Sequence, residues 1–401
     1  MIYKKVSLEI CGKCNAQCKY CYTGRVNRGW CSPDEGGFIS PNNFSHAIAY
    51  LRDKGLICPE TIFRLYNYGE PLMHPYLIDI LRIIDNFGYG FELSTNGSVI
   101  PQLELVPYLR NLKKLKISMC GFSQASYDLI SRLSFSRVKS NIILMLKMLR
   151  DSGWNGVASL KFHVYNHNMN EVELARSFSE DLGIVFVPIH AIIGDLRMQM
   201  DYFDGQLGEQ IRQEADQDLV TSRMFHEYAE KMPQNWNCPL SSELVIDEYL
   251  QLVNCCMATR SDKDDYHLLG SLFDSDGRSI KDARCRSTLG ARCYLNGLGY
   301  AINSFPSYRD EEWIDSIKKI LYEEDVDVIG EDDLYASFQR IFGSGGVSWH
   351  HCLNVRDFSI HGRSGNGIIL ADSRYHDIRR ELMDSGIPEK RIRAVYNSNL
   401  R

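Results

Sequence analysis

Cys14-x3-Cys18-x2-Cys21 places three thiols within eight residues of a 401-residue chain, directly after an apolar segment that ends at Ile10. Thiolates are soft ligands that suit zinc and iron–sulfur clusters. Three of them on a four-iron cluster leave one iron without a protein ligand, and an open coordination position lets a metal centre bind a molecule and act on it. A zinc knuckle is the other use of these residues, because Cys11-x2-Cys14 and Cys18-x2-Cys21 are also paired at zinc-like spacing. The chain has 13 cysteines, an odd number. In a reducing compartment, clustered cysteines bind metal or do chemistry more often than they form disulfides. A second group, Cys238, Cys255, Cys256, Cys285 and Cys293, follows more than 200 residues later. Cys31, Cys58, Cys120 and Cys352 are scattered and read as small buried hydrophobes.

The elements that must position these residues alternate. Strand-like segments at 6–10, 62–66, 90–94, 114–119, 159–165 and 185–189 are separated by amphipathic stretches at 41–54, 77–87, around 106–110, 123–132 then 138–152, and 172–182. Such alternation implies parallel strands joined by right-handed crossovers. Six units over about 200 residues suit an open α/β barrel better than a flat nucleotide-binding sheet. The expected division is a partial (β/α)6 barrel over 1–200, a polar helical bridge over 201–237, a Cys-rich domain over 238–300 and a helical and α/β extension over 301–401. Within these, a hairpin is expected at 243–246 and 251–254, an acidic helical stretch at 311–342, and a strand–helix–strand unit at 366–371, 375–385 and 394–396. The Gly-rich run from His361 to Gly367 precedes its strand, where a phosphate-cradling loop would follow it. Trp349-His350-His351-Cys352 holds possible ligands, but neighbours on a strand point to opposite faces.

Leu8 to Cys21 resembles the opening of the radical S-adenosylmethionine (SAM) enzymes, whose signature is three cysteines at this spacing with an aromatic residue before the third, here Tyr20. The resemblance implies that Cys14, Cys18 and Cys21 hold a [4Fe-4S] cluster whose fourth iron takes the amino and carboxylate groups of SAM. It also implies that Cys11 is not a ligand and that Tyr20 packs near the adenine. Tyr68-Gly69-Glu70-Pro71 resembles the family's Gly-Gly-Glu-Pro, with Tyr in place of the first Gly, a motif that contacts the methionine amino group. A buried carboxylate beside an ammonium is physically sensible. Ser94-Thr95-Asn96-Gly97 resembles the family's Thr-Asn-Gly, although Asn-Gly also makes an ordinary turn. Ile117-Ser118-Met119-Cys120-Gly121 matches a segment that ends Ile-Asp-Gly in many relatives, with Cys120 in place of the acid. Cofactor contacts are therefore expected from Gly69, Glu70, Pro71, Ser94, Asn96 and Ser118, and from His163 and Asn166 at the end of the fifth strand. Barrel active sites form at these strand ends.

The later cysteines, with Leu269-Gly270-Ser271-Leu272 between them, resemble the SPASM and shorter Twitch cluster domains. That resemblance implies one auxiliary [4Fe-4S] cluster on Cys238, Cys255, Cys285 and Cys293, with Cys256 as the substitute for Cys255, and a zinc site on the same four is the alternative. The family's hairpin carries a Gly about five residues before the Cys pair, and here that place holds Leu250.

The family chemistry is reductive cleavage of SAM to a 5′-deoxyadenosyl radical that abstracts hydrogen from an unactivated C–H bond. An auxiliary cluster to accept an electron implies oxidation or dehydrogenation, of a small molecule such as a sugar or aminocyclitol. With the barrel starting by residue 6, the peptide-binding domain that precedes it in many relatives is not expected. Crosslinking or epimerisation of a ribosomal peptide is the alternative, with Cys120 as a hydrogen-atom donor for the latter. A non-catalytic zinc scaffold is the alternative of another class. The expected electron donor is a flavodoxin or ferredoxin.

Hydrophobic residues at 44% and charged residues at 24% exclude a disordered or collagen-like chain. A formal charge of −6 argues against general nucleic-acid binding, though not against a local basic groove. No apolar run reaches 18 residues, so no membrane partner is expected. Nor does the N-terminus carry a charged-then-apolar leader, and a cytoplasmic protein is expected.

Overall fold

The computed structural model describes residues 2–31, 36–101, 103–219, 225–260, 266, 269–274 and 288–304, and the strand residues 326–330, 348–351, 367–371 and 392–394. Seven strands, β1 (Tyr3–Leu8), β2 (Ile57–Arg64), β3 (Gly90–Thr95), β4 (Leu112–Met119), β5 (Val157–Val164), β6 (Val185–His190) and β7 (Leu244–Ile246), form one sheet in the order β6-β5-β4-β3-β2-β1-β7. The registers from β5 through β1 to β7 are parallel throughout. Eleven α-helices lie among the described residues: α1 (Tyr22–Asn27), α2 (Pro41–Asp53), α3 (Leu77–Phe87), α4 (Gln124–Ile130), α5 (Phe135–Asp151), α6 (Val172–Asp181), α7 (Leu196–Phe203), α8 (Glu209–Asp218), α9 (Phe225–Ala229), α10 (Thr288–Leu295) and α11 (Leu298–Ser304).

Local chemistry accounts for the helix ends. Ser40 accepts from the Asn43 N–H with Pro41 at the first helical position, so α2 starts where an orphan donor is capped and a fixed φ is favourable. Ser134 caps α5 in the same way. The helix α3 stops at Gly88, whose φ of 76° is left-handed.

The strands explain why the sheet is a platform and not only a core. Phe63, Leu65, Phe91, Leu93, Leu115, Ile117, Leu160, Phe162 and Val164 are buried. The alternate residues Arg64, Tyr66, Glu92, Ser94, Lys116, Ser118, Lys161 and His163 are half-buried and polar. Strands of a parallel sheet covered on both faces read as near-continuous apolar runs. Here one face is apolar and the other is kept for polar groups, as a sheet that borders a cavity requires.

The expected hairpin is present: Ile246 bridges Leu252 in antiparallel fashion, and the Val253 N–H donates to the Val245 carbonyl at 2.9 Å. Its first strand, β7, pairs with β1, so the segment that leads to Cys255 extends the same sheet. Residues 201–237 contain α8, α9 and the end of α7. The chain divides into two compact units, Met1–Ala175 with His190–Phe305, and Arg176–Ile189 with Pro306–Arg401. The second holds four parallel strands, β8 (Val326–Gly330), β9 (Ser348–His351), β10 (Gly367–Ala371) and β11 (Ile392–Ala394), in the order β11-β10-β8-β9. β8 corrects the helical expectation at 326–330; the rest of 311–342 lies outside the described residues. Val326, Val328 and Ile329 are β-branched residues, which suit a pleated strand better than a helix. Cys285, Cys352, the Gly-rich run up to Asn366 and the expected helix at 375–385 lie outside the described residues.

Candidate functional site

The cysteine loop leaves β1 and runs without regular structure to Cys21, which precedes α1. Its backbone is tied to several separate elements. Gly12 donates to the Gly37 carbonyl at 2.9 Å, and Lys13 accepts from the Glu70 N–H at 2.8 Å. Gln17 donates to the Ser131 carbonyl at 2.8 Å and Lys19 to that of Ile130 at 3.1 Å. From α1, Asn27 Nδ2 donates to the carbonyls of both Cys14 and Ala16 at 2.7 Å. Arg28 bonds the Gln17 and Ile130 carbonyls. A Cβ on Gly24 would lie 2.3 Å from the backbone N and O of Cys18, so only glycine lets α1 pass this closely.

The three thiols are held in a dry setting. Cys14 Sγ accepts from the Ala16 N–H at 3.4 Å and from Asn96 Nδ2 at 3.6 Å. Backbone N–H groups of Gly24 and Thr23 point at Cys21. Burial nevertheless pushes Cys14 up to about 12 and raises Cys18 and Cys21 as well. Thiols this costly to ionise become thiolates when a metal supplies the compensating charge. Among the described residues, no three His, Cys, Asp or Glu side chains converge on one ion. Cys11 Sγ is turned to the Lys13 carbonyl at 3.2 Å.

Two strand-end turns meet this loop. Glu9, a carboxylate within the apolar run of β1 and its extension, accepts from the N–H groups of Tyr68 and Gly69 at 2.7 Å each. A Cβ on Gly69 would lie 1.8 Å from the Cys11 carbonyl oxygen, so the turn sits directly on the cysteine loop. Glu70, only 2% exposed, accepts from Leu72 N–H at 3.1 Å and from Asn96 N–H at 2.7 Å. Burial pushes its carboxyl up to about 7. Pro71 opens the short 3₁₀ turn that Glu70 caps. Asn96 also reaches Asn15 Oδ1 at 3.1 Å. Glu70, Asn96 and Cys14 are therefore brought together from three loops. Beside them lies a cavity of about 510 Å³ whose walls include Glu9, Cys14, Tyr22, Tyr68, Met73 and Arg260. Arg260 pairs with the buried Glu248, which accepts from the Gly37 N–H at 2.8 Å.

The remaining expected residues are spread more widely. Ser94 and Ser118 lie on the polar face of the sheet. The hydroxyl of Tyr20 donates to Asp218 at 2.6 Å, and its ring stacks on Tyr165 at 6.2 Å, which commits it to the contact with α8. Asn166 is exposed and bonds the Gln217 carbonyl at 2.7 Å. His163 is half-buried, and burial lowers it to about 3, so the imidazole is neutral. Cys120 is buried, donates to Ser131 Oγ at 3.4 Å and is pushed up to about 12 by burial. Its thiol faces Ser131 and the neighbourhood of Cys18.

Of the second cysteine group, Cys238, Cys255 and Cys293 line one narrow apolar pocket with Trp236 and Tyr294. They arrive from a 3₁₀ N-cap, the end of the hairpin and α10. Cys256 is half-buried next to Cys255 and shares a hydrogen bond with it. Leu250, where the resemblance expects a glycine, has a φ of 63° and so adopts the glycine-favouring conformation without the residue.

Sequence reasoning missed Glu9, Gly24, Asn27 and Arg28. Glu9 carried a usable signal, since an acid inside an apolar strand needs a dedicated partner. The other three act through the loop's fold, and nothing in their spacing shows it.

No family model matches the chain. It is 27% identical over 120 residues to the tungsten-containing aldehyde ferredoxin oxidoreductase cofactor-modifying protein of Pyrococcus furiosus, covering 30% of each chain. It is 28% identical over 103 residues to an S-adenosylmethionine-dependent nucleotide dehydratase of Selenomonas ruminantium, covering 26% of this chain and 33% of that one. A GTP 3′,8-cyclase of Microcystis aeruginosa is 26% identical over 145 residues, 32% of this chain and 37% of the other. The chain thus spans about a third of the length of the curated relatives it matches. Among solved structures, Streptococcus suis SuiB bound to S-adenosylmethionine aligns with a TM-score of 0.46 at 12% identity, over 77% of this chain and 70% of that one. BtrN in complex with AdoMet and 2-DOIA aligns with a TM-score of 0.34 at 13% identity, over 75% and 88%. In its three-cysteine loop, with the Gly-Glu-Pro and Thr-Asn-Gly turns gathered upon it, the chain is similar to the S-adenosylmethionine-dependent enzymes among these relatives.

Proposed function

We propose that the protein is a radical SAM oxidoreductase in which Cys14, Cys18 and Cys21 hold a [4Fe-4S] cluster and the Glu70 and Asn96 turns receive SAM. The observation that carries this reading is the junction of Cys14, Glu70 and Asn96, made from three loops by hydrogen bonds to one another. The donor set fits the group in kind: three soft thiols carried by one loop, two of them flanked by backbone N–H groups that aim at the sulfur. When bound, cluster and SAM supply a one-electron cleavage that yields a 5′-deoxyadenosyl radical.

The chain's own residues do the positioning. Asn27 and Arg28 fix the loop carbonyls, and Glu9 fixes the Tyr68–Gly69 turn by holding both N–H groups. Glu70 is a buried carboxyl that would accept from the amino N–H groups of bound SAM, which favours its ionised form. Cys238, Cys255 and Cys293, with Cys285, are proposed to hold an auxiliary [4Fe-4S] cluster of SPASM or Twitch type, and the pocket that the first three share supports it. An electron acceptor of that kind favours oxidation of a small polar molecule such as a sugar or aminocyclitol, with a flavodoxin or ferredoxin as the donor. Cys120 is buried with its thiol on Ser131 Oγ, and no role in epimerisation is assigned to it.

Iron and sulfide content after anaerobic reconstitution tests the reading, for wild type, Cys14/Cys18/Cys21→Ala and Cys255→Ala. About eight irons should fall to about four in each variant. Cys256→Ala should keep all of them. Zinc in place of iron would overturn the proposal, and four irons falling to none in the triple variant would remove the auxiliary cluster.

A further inference from the structure

The polar face of the sheet is cationic in a chain whose overall charge is negative. Arg64, Lys114, Lys116 and Lys161 project onto it, and the carboxylates that Arg64 and Lys116 pair with are Glu92 and Glu243. Both of those acids are taken. Arg64 takes both oxygens of Glu243 at 2.6 Å and lies 3.6 Å from Glu92. Lys116 holds Glu92 at 2.7 Å and the Tyr66 hydroxyl at 2.5 Å. Lys161 makes no hydrogen bond or ion pair with any described residue.

Register places that ammonium. Lys161 stands opposite Ser118 across β4 and β5, two residues beyond Lys116, which stands opposite Ser94. Asn96, two residues beyond Ser94, touches Cys14 Sγ at 3.6 Å. Lys161 and Asn96 are therefore on the same step of the sheet, and His163 is one step further along the same face. A half-buried cation without a counter-ion is costly, and this one is crowded as well, since burial and then the nearby Lys116 and Arg64 lower it to about 8. An anion bound there would relieve both costs.

We propose that Lys161 anchors an anionic group of the substrate, a phosphate or a carboxylate, on the polar face beside the cysteine loop. This deepens the oxidoreductase reading and rests on it for the word substrate; the anion site itself rests on the sheet. Such an anchor leaves the rest of the molecule reaching toward Cys14, where hydrogen abstraction would occur, and specifies an acidic substrate rather than a neutral one.

The test is calorimetric titration of the reconstituted full-length protein with inorganic pyrophosphate and, separately, succinate. Wild type, Lys161→Met, Lys161→Arg and Cys14/Cys18/Cys21→Ala are compared. One probe should bind at a single site, and which probe does so separates phosphate from carboxylate. A charge-assisted contact of this kind makes Lys161→Met weaker by about tenfold or more, while Lys161→Arg keeps most of the affinity. In parallel, acetylation of Lys161 by acetic anhydride, read by mass spectrometry, should be suppressed by the bound probe, which decides the matter if Lys161→Met does not fold. Binding of neither probe, equal binding by Lys161→Met, or acetylation indifferent to the probe would overturn the proposal. Probe binding retained in a protein that takes up no iron would sink the oxidoreductase reading and leave the anion site standing.

Discussion

The two cysteine regions are built in opposite ways. The first three thiols lie within eight residues, and the structure spends its tertiary contacts on the loop's backbone, through Gly37, Glu70, Ser131, Asn27 and Arg28. The later cysteines come from segments 17 and 38 residues apart, 238 to 255 and 255 to 293, and the structure spends its contacts on bringing the segments together. A local motif needs rigid support from many elements, because a loop with no ladder of its own must borrow its hydrogen bonds. A dispersed set needs only that the fold deliver each side chain, and its own hairpin then tolerates imperfect local chemistry, as at Leu250.

That contrast breaks first at Gly69. Its absent Cβ is the space occupied by the Cys11 carbonyl, with the Lys13 carbonyl 2.9 Å away, so Gly69→Ala forces backbone against backbone. We expect a loss of about 3 kcal/mol or more in chemical denaturation, together with loss of the first cluster's iron and retention of the second. A variant as stable as wild type would show that the loop is not held by this turn.

A smaller effect should come from pH. Glu70 is raised from its ordinary value of 4.5 to about 7 by burial. Between those values the folded state holds a proton that the unfolded state has lost, so stability falls as pH rises through this window and levels off above it. The contribution is at most about 3 kcal/mol. Glu70→Gln should flatten this part of the profile in metal-free protein. In reconstituted protein the amino N–H groups of SAM beside Glu70 would favour the carboxylate as their acceptor, so SAM affinity should rise over the same window.

The smallest effect sharpens the other side of the comparison. Leu250 is 4% exposed and has a φ of 63°. Truncation loses buried apolar area in either Leu250→Ala or Leu250→Gly, but only glycine removes the left-handed strain. The usual order, in which glycine is the less stable, should therefore be reversed, by about 1 kcal/mol in thermal or denaturant unfolding. Alanine more stable than glycine would mean that the backbone there is relaxed.

Much of the first region was legible in the residues. The strand and helix segments of the first 190 residues match the structure to within a few residues at each end, because apolar periodicity there is long and regular. α1, only six residues, was not foreseen, nor was β8 inside an acidic stretch that reads as helix. Pairing with β10 and β9 is what makes β8 a strand, and pairing is invisible to a local pattern.

The sequence by itself determined the spacing of the three cysteines, the turns that follow the second and third strands, and the alternation that makes the sheet parallel. These depend on neighbours in the chain. Only the tertiary structure decided that Glu9 would hold Tyr68 and Gly69, that β7 would join β1 and carry the hairpin beside the first loop, and that Lys161 would have no counter-ion among the described residues once Glu92 and Glu243 were taken. Those outcomes depend on which groups the sheet brings to one face and which partners remain. Charge pairing in a confined space is settled by register, and register is a property of the assembled fold.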